Sequence, residues 1–82
     1  MKQTEILQTL QSIFDDIFLD QVIVSPTLSA DQVEEWDSLL QVNLVVAVES
    51  RFTIRFRVGE VEATKNVGDF AELIAKRLAE KK

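Results

Sequence analysis

The stretch Trp36-Asp37-Ser38-Leu39-Leu40-Gln41-Val42-Asn43-Leu44-Val45-Val46-Ala47-Val48-Glu49-Ser50-Arg51-Phe52 decides how this chain of 82 residues folds. Asp37 and Ser38 are both strong helix N-caps, and a long apolar segment starts directly behind them. Written as a helix, residues 38–51 are apolar on nearly every side, so that helix is either buried or presents a sticky face. Val42, Val45, Val46 and Val48 are β-branched and pull toward strand instead. The next seven residues sharpen the conflict. Phe52, Ile54, Phe56 and Val58 alternate with Thr53, Arg55 and Arg57, the period-two signature of a strand. An α+β arrangement therefore stays open at this point, although 22–24, the one other strand-like segment, is short.

The flanks are helical. Ile6, Leu7, Leu10, Ile13, Phe14, Ile17 and Phe18 step by three and four, which paints one apolar stripe and predicts a helix over about 3–19. Gln8, Gln11, Ser12, Asp15 and Asp16 fall on its wet side. Toward the C-terminus, Val67, Phe70, Leu73, Ile74 and Leu78 form a second stripe, with Asn66 as N-cap and Asp69 three residues on as a capping-box-like partner. Lys76, Arg77, Lys81 and Lys82 suit the negative end of that helix. Between the first helix and Asp37, the turn formers Asp20, Ser25, Pro26, Thr27, Ser29 and Asp31 predict a long connection. Loops of more than about 12–15 residues are usually functional or disordered; here Val22, Val24, Leu28 and Val33 supply apolar anchors, and a short helical turn fits near 29–34. Glu60-Val61-Glu62-Ala63, after Gly59, fits one further short helix.

Composition excludes several classes of function. With no Cys and no His, the chain has no disulfide, no Cys/His metal site, no thiol nucleophile and no imidazole base. Asp15-Asp16-Asp20 misses the spacing of a calcium loop, so no metal is expected. A net charge of −5 argues against nucleic acid, and Arg51, Arg55 and Arg57 have no aromatic stacking platform beside them. The longest strictly apolar run, Leu44–Val48, falls far short of the ~20 residues that span a bilayer. The N-terminus lacks the apolar core of a signal peptide. A single cytoplasmic domain over 1–82 is expected, with 46% hydrophobic residues to build its core. The charge is uneven: residues 1–50 hold nine acids against Lys2 alone, whereas residues 51–82 hold five acids and eight bases.

Trp36-Asp37-Ser38-Leu39, the helix Leu44–Phe52 behind it, and Asn66-Val67-Gly68-Asp69-Phe70 at the start of the last helix together resemble the acyl carrier protein family, over essentially the whole chain. The resemblance implies an all-α four-helix bundle with a short third helix and a long loop between helices one and two. It also implies an extended loop over 52–58, with Phe52, Ile54 and Phe56 tucked inward and Arg55 and Arg57 in water. Ser38 would receive 4′-phosphopantetheine from coenzyme A, with Asp37 and Leu39 in the motif that the phosphopantetheinyl transferase recognises. A phosphodiester at a helix start would meet unpaired backbone N–H groups and the positive end of the dipole. A plain N-cap is the alternative role of Ser38.

Partners implied by the resemblance are the transferase and acyl-loading, condensing or acyl-transfer enzymes, met by Trp36, Leu40, Asn43, Val46, Glu49 and Glu62. Val42, Val46, Phe56 and Val61 are the expected lining for a sheltered acyl chain, or else plain core. The chain departs from the family at several points. Glu35 stands where a Gly is common, Leu40 and Asn43 stand where acids are common, and Arg51 replaces another acid. A greasier, less acidic second helix points to a dedicated partner in a specialised fatty-acid or polyketide-type pathway. The expectation is a monomeric, stand-alone carrier and no enzyme. Ser38 has no His and no Lys near it in sequence to act as a base, although Lys65 could approach in space. An aminoacyl or peptidyl carrier, and an unmodified carrier-like interaction module, are the alternatives.

Overall fold

The apolar stripe of the first segment forms α1, Gln3–Ile17, in a computed structural model that describes residues 2–57 and 59–80. Ile6, Leu10, Ile13 and Phe14 are buried along it. The Lys2 N–H donates to the Glu5 carboxylate at 3.1 Å and so satisfies one of the free donors at the helix start. The helix stops before the expected residue 19 for a reason outside itself. Phe18 turns extended, and the N–H groups of Leu19 and Asp20 are taken by the two oxygens of the Glu35 carboxylate at 2.7 and 3.2 Å.

The connection from 18 to 37 packs against the helices. Val22 is buried, and Val24, Leu28 and Val33 are half-buried against the core. Gln11, expected on the wet side of α1, is half-buried and clamps this segment. Its amide NH2 donates to the Val22 carbonyl at 2.7 Å and its Oε1 accepts from the Val24 N–H at 2.8 Å. A 3-10 turn at Ala30–Gln32 falls where a helical turn was expected, with the Gln32 side chain accepting from the Ser29 N–H at 3.0 Å.

Helix wins over strand in the deciding stretch. α2 runs Ser38–Phe52, with the Asp37 Oδ1 accepting from the Leu40 N–H at 2.9 Å. Leu44, Val48 and Phe52 are buried, while Leu39, Val42 and Val46 are exposed on the other side. The all-round apolar character is thus both of the alternatives that the sequence posed: one face is core and one is surface. Thr53 ends the helix in the left-handed region at φ 56°.

Residues 54–57 form no helix and belong to no sheet; no strand occurs among the described residues. Phe52 and Ile54 are buried, Phe56 is half-buried, and Arg55 and Arg57 are exposed, as expected; Val58 lies outside the described residues. In place of a partner strand, the Glu49 carboxylate accepts the Phe56 N–H at 2.9 Å and holds the segment to α2.

The expected short helix over 60–63 is instead a set of overlapping turns, so the described residues form three α-helices and a 3-10 turn rather than four helices. Gly59 opens the turns at φ 88°. The Thr64 N–H and hydroxyl both close on the Val61 carbonyl, at 3.0 and 2.6 Å, which stops an α-helical ladder from propagating.

α3 runs Val67–Glu80. Asn66 Oδ1 accepts from the Asp69 N–H at 2.8 Å, while Asp69 reaches back to the Lys65 N–H at 3.1 Å, one residue earlier than a standard capping box. The free N–H groups of Val67 and Gly68 donate to the carbonyls of Leu28 and Pro26, both at 2.8 Å, and seat the helix on the long connection. Arg77, which falls in the last turn as expected, is buried at 8% exposure and paired with Glu60 at 3.0 Å and Glu80 at 3.1 Å. Lys76 is exposed; Lys81 and Lys82 lie outside the described residues. α1 packs against both α2 and α3 and buries their facing stripes.

Candidate functional site

Ser38 is the first residue of α2, exposed, at the junction where the long connection meets the helix. The capping role falls to its neighbour. The Asp37 carboxylate holds the Leu40 N–H, and the Ser38 hydroxyl has no hydrogen-bond partner among the described residues. A hydroxyl free of local bonds, on a rigid helix start, is open to modification from solvent. The helix end beside it supplies unsatisfied N–H groups and partial positive charge to an anion bound there.

An open depression of about 540 Å³ adjoins Ser38. Its walls come from three parts of the chain: Trp36 and Gln41 around the start of α2, Val61, Thr64 and Lys65 from the turns, and Val67 and Phe70 from α3. The wall is apolar toward the core and carries Lys65 and Glu62, both exposed, at the rim. A phosphodiester on Ser38 fits the helix N-terminus and the apolar floor beyond it; the one lysine on the depression is matched there by Asp37 and Glu62.

Trp36 is fixed by packing. Its ring meets Phe14 and Phe18 edge-on at 5.3 and 5.7 Å, over a Phe14–Phe18 stack at 4.9 Å. Its indole N–H donates to the Gln41 Oε1 at 2.6 Å. Through Trp36, the residue two before Ser38 is tied both to the core and to the first turn of α2.

The other residues singled out from sequence divide. Leu39, Asn43 and Val46 are exposed on α2, and Leu39 stands 71% free. Leu40 is half-buried against the core. Glu49 is half-buried and its carboxylate is engaged by Phe56; Glu62 lies on the Ser38 depression.

The four expected lining residues do not come together. Val61 lines the Ser38 depression, and Phe56 packs on its wall residue Phe70 at 5.6 Å. Val42 and Val46 stand 58% and 59% exposed on the outer face of α2, and Val46 borders a different cleft. The helical phase explains the split: Leu44 and Val48 take the inner face, which leaves positions 42 and 46 outside. Gln41, Thr64, Val67 and Phe70 were missed. Gln41 lies one turn beyond Ser38 and was legible from spacing; the others reach the site only through tertiary packing.

Among the described residues, no cluster of acidic side chains could hold a metal ion, and no helix is long and apolar enough to cross a membrane.

No model of a known protein family matches the chain, and no curated protein sequence matches it. Among solved structures it is similar to a holo acyl carrier protein from Geobacter metallireducens determined by solution NMR. The two share 37% sequence identity at a TM-score of 0.77, over 96% of this chain and 87% of that one.

Proposed function

This chain belongs to the acyl carrier protein family, and from that premise we propose that it carries acyl groups as thioesters on a 4′-phosphopantetheine arm attached at Ser38. The observation that carries the reading is the division of labour at the start of α2: Asp37 caps the helix, and the exposed Ser38 hydroxyl is left free. Ser38 is the acceptor, and the helix N-terminus meets the phosphodiester with its unpaired N–H groups, while Lys65 borders the same depression together with Asp37 and Glu62. The arm supplies the thiol that the cysteine-free chain lacks. Trp36, Val61, Val67 and Phe70 offer apolar shelter to the part of the arm or cargo nearest the protein. The chain acts as one carrier domain and leaves catalysis to its partners: a phosphopantetheinyl transferase, and enzymes that load, condense or transfer acyl groups. They meet the outer face of α2, where Leu39, Asn43 and Val46 are exposed. The near absence of charge on that face favours a specialised fatty-acid or polyketide-type pathway over general fatty-acid synthesis.

Intact-mass measurement after incubation with coenzyme A and a promiscuous transferase tests this directly. Wild type gains one phosphopantetheine and Ser38→Ala gains none. A wild type that stays unmodified removes the carrier reading, and a Ser38→Ala variant that is modified moves the site. Loading of the holo form by acyl-transfer enzymes, set against amino-acid-activating ones, then separates acyl from aminoacyl cargo.

A further inference from the structure

The depression beside Ser38 offers a ligand little by charge, because Lys65 is matched there by Asp37 and Glu62. Several of its hydrogen-bonding groups are already spent inside the chain. The Thr64 hydroxyl donates to the Val61 carbonyl at 2.6 Å, and the Asp37 Oδ1 accepts from the Leu40 N–H at 2.9 Å. Gln41 differs. Its Oε1 is taken by the Trp36 indole N–H at 2.6 Å, and an indole nitrogen can only donate. The carboxamide is therefore held one way round, with its oxygen toward Trp36 and its NH2 away from it. That NH2 has no hydrogen-bond partner among the described residues, although Gln41 is half-buried on the wall of the depression. Trp36 is itself wedged edge-on against Phe14 and Phe18 at 5.3 and 5.7 Å, so the orientation is fixed from the core outward. Asn66 carries a second unspent NH2, its Oδ1 being taken by the Asp69 N–H at 2.8 Å, but it stands at the start of α3. Gln41 follows Ser38 on α2 itself, about 4.5 Å along the axis at 1.5 Å per residue. A neutral donor of fixed orientation beside the apolar Val61, Val67 and Phe70 suits a ligand segment that joins branched hydrocarbon to a carbonyl acceptor.

We infer that Gln41, oriented by Trp36, is a positioning residue for the phosphopantetheine arm: its NH2 donates to the amide carbonyl nearer the phosphate and holds the adjoining segment against the apolar wall. This rests on the carrier reading and gives the arm a docked resting position. The arm's chemistry matches in order. Its phosphodiester is followed by a carbon bearing two methyl groups, then a hydroxyl-bearing carbon, then the first amide carbonyl. Trp36 takes part without touching the acceptor serine, because it sets which end of the Gln41 amide meets the arm. The donor is uncharged, so it selects by the place of the acceptor and contributes on the scale of one hydrogen bond.

The test compares apo and holo forms of the full isotope-labelled chain by NMR, as wild type, Gln41→Glu, Gln41→Met and Asn66→Asp. In wild type the Gln41 side-chain NH2 signals shift between apo and holo, and the arm's methyl groups give cross-peaks to the Trp36 ring. Gln41→Glu keeps an acceptor for the indole and removes the donor. Its apo indole N–H signal therefore stays at the wild-type position, while the docked-to-free ratio of the arm, read from the cross-peaks, falls about three- to tenfold, the scale of one hydrogen bond. Gln41→Met lowers that ratio equally without adding charge. Asn66→Asp keeps the capping oxygen and leaves the ratio unchanged. A wild-type holo chain without the cross-peaks or the NH2 shift overturns the proposal. So does a Gln41→Met chain that keeps the wild-type ratio, since repulsion by the new carboxylate then accounts for Gln41→Glu, and so does a loss confined to Asn66→Asp. The Ser38 mass measurement on wild type separates the two readings. A chain that takes the arm and shows none of these contacts loses only the present inference, and a chain that never takes the arm loses the carrier reading and this inference with it.

Discussion

Gly68 shows how one side chain can be dictated by a distant loop. A Cβ built there would lie 2.8 Å from the Pro26 carbonyl oxygen, the same atom that accepts the Gly68 N–H. Alanine is intrinsically the better helix residue by about 1 kcal/mol, so propensity alone favours Gly68→Ala. The clash is with backbone, which yields poorly, and moving it also disturbs the Val67 N–H bond to Leu28. Gly68→Ala is therefore expected to lose about 1–3 kcal/mol net, the usual range for overpacking, read as a lower urea midpoint. A midpoint that rises would mean the loop yields freely at Pro26. Gln11 and Glu35 belong to the same scale. Each looks like an ordinary solvated polar residue in the sequence, yet Gln11 holds Val22 and Val24, and Glu35 holds Leu19 and Asp20. Neither role was legible, because the backbone groups they satisfy lie 11 to 16 residues away.

At the scale of the element, α2 separates helix-starting chemistry from the modification it is proposed to carry. Asp37→Ala should cost about 1 kcal/mol through the lost cap, while Asp37→Asn, which keeps an acceptor, retains most of it; denaturant midpoints of the three chains check the order. Ala lying level with wild type would mean the cap contributes nothing to stability. The three long helices were legible because each rests on local signals: stripe period, the caps Asp37 and Asn66, and few breakers. Their ends were less so. α1 ends early because Glu35 captures the next two N–H groups, which no local pattern announces. The valine run illustrates a local preference overridden: strand propensity had no partner strand to pair with, while Leu44 and Val48 found a buried face against α1. The turns at 59–64 went the other way, since four residues with a β-branched Val61 are too few to nucleate a helix unaided.

Across the whole molecule, α1 is the shared partner of α2 and α3, and the long connection fills the space between the starts of those two helices. Ser38, Asp37 and Leu39 could be singled out from sequence because they are contiguous. The walls around Ser38 could not, because they converge from the thirties, the sixties and α3. The unequal charge of the two halves also reads differently in three dimensions. Part of the basic half is drawn inside, where Arg77 joins the turn at Glu60 to the last helix, and Arg55 remains outside. Trp36, the chain's one tryptophan, has a consequence for how the protein can be watched. Its indole is pinned edge-on to Phe14 and Phe18 and forms part of the surface that an arm on Ser38 would brush. The molecule thus contains its own optical reporter. Emission from this single fluorophore should change in wavelength or intensity between the apo, holo and acyl-loaded forms, with no dye attached. Superimposable spectra of all three would mean that arm and cargo stay away from that wall.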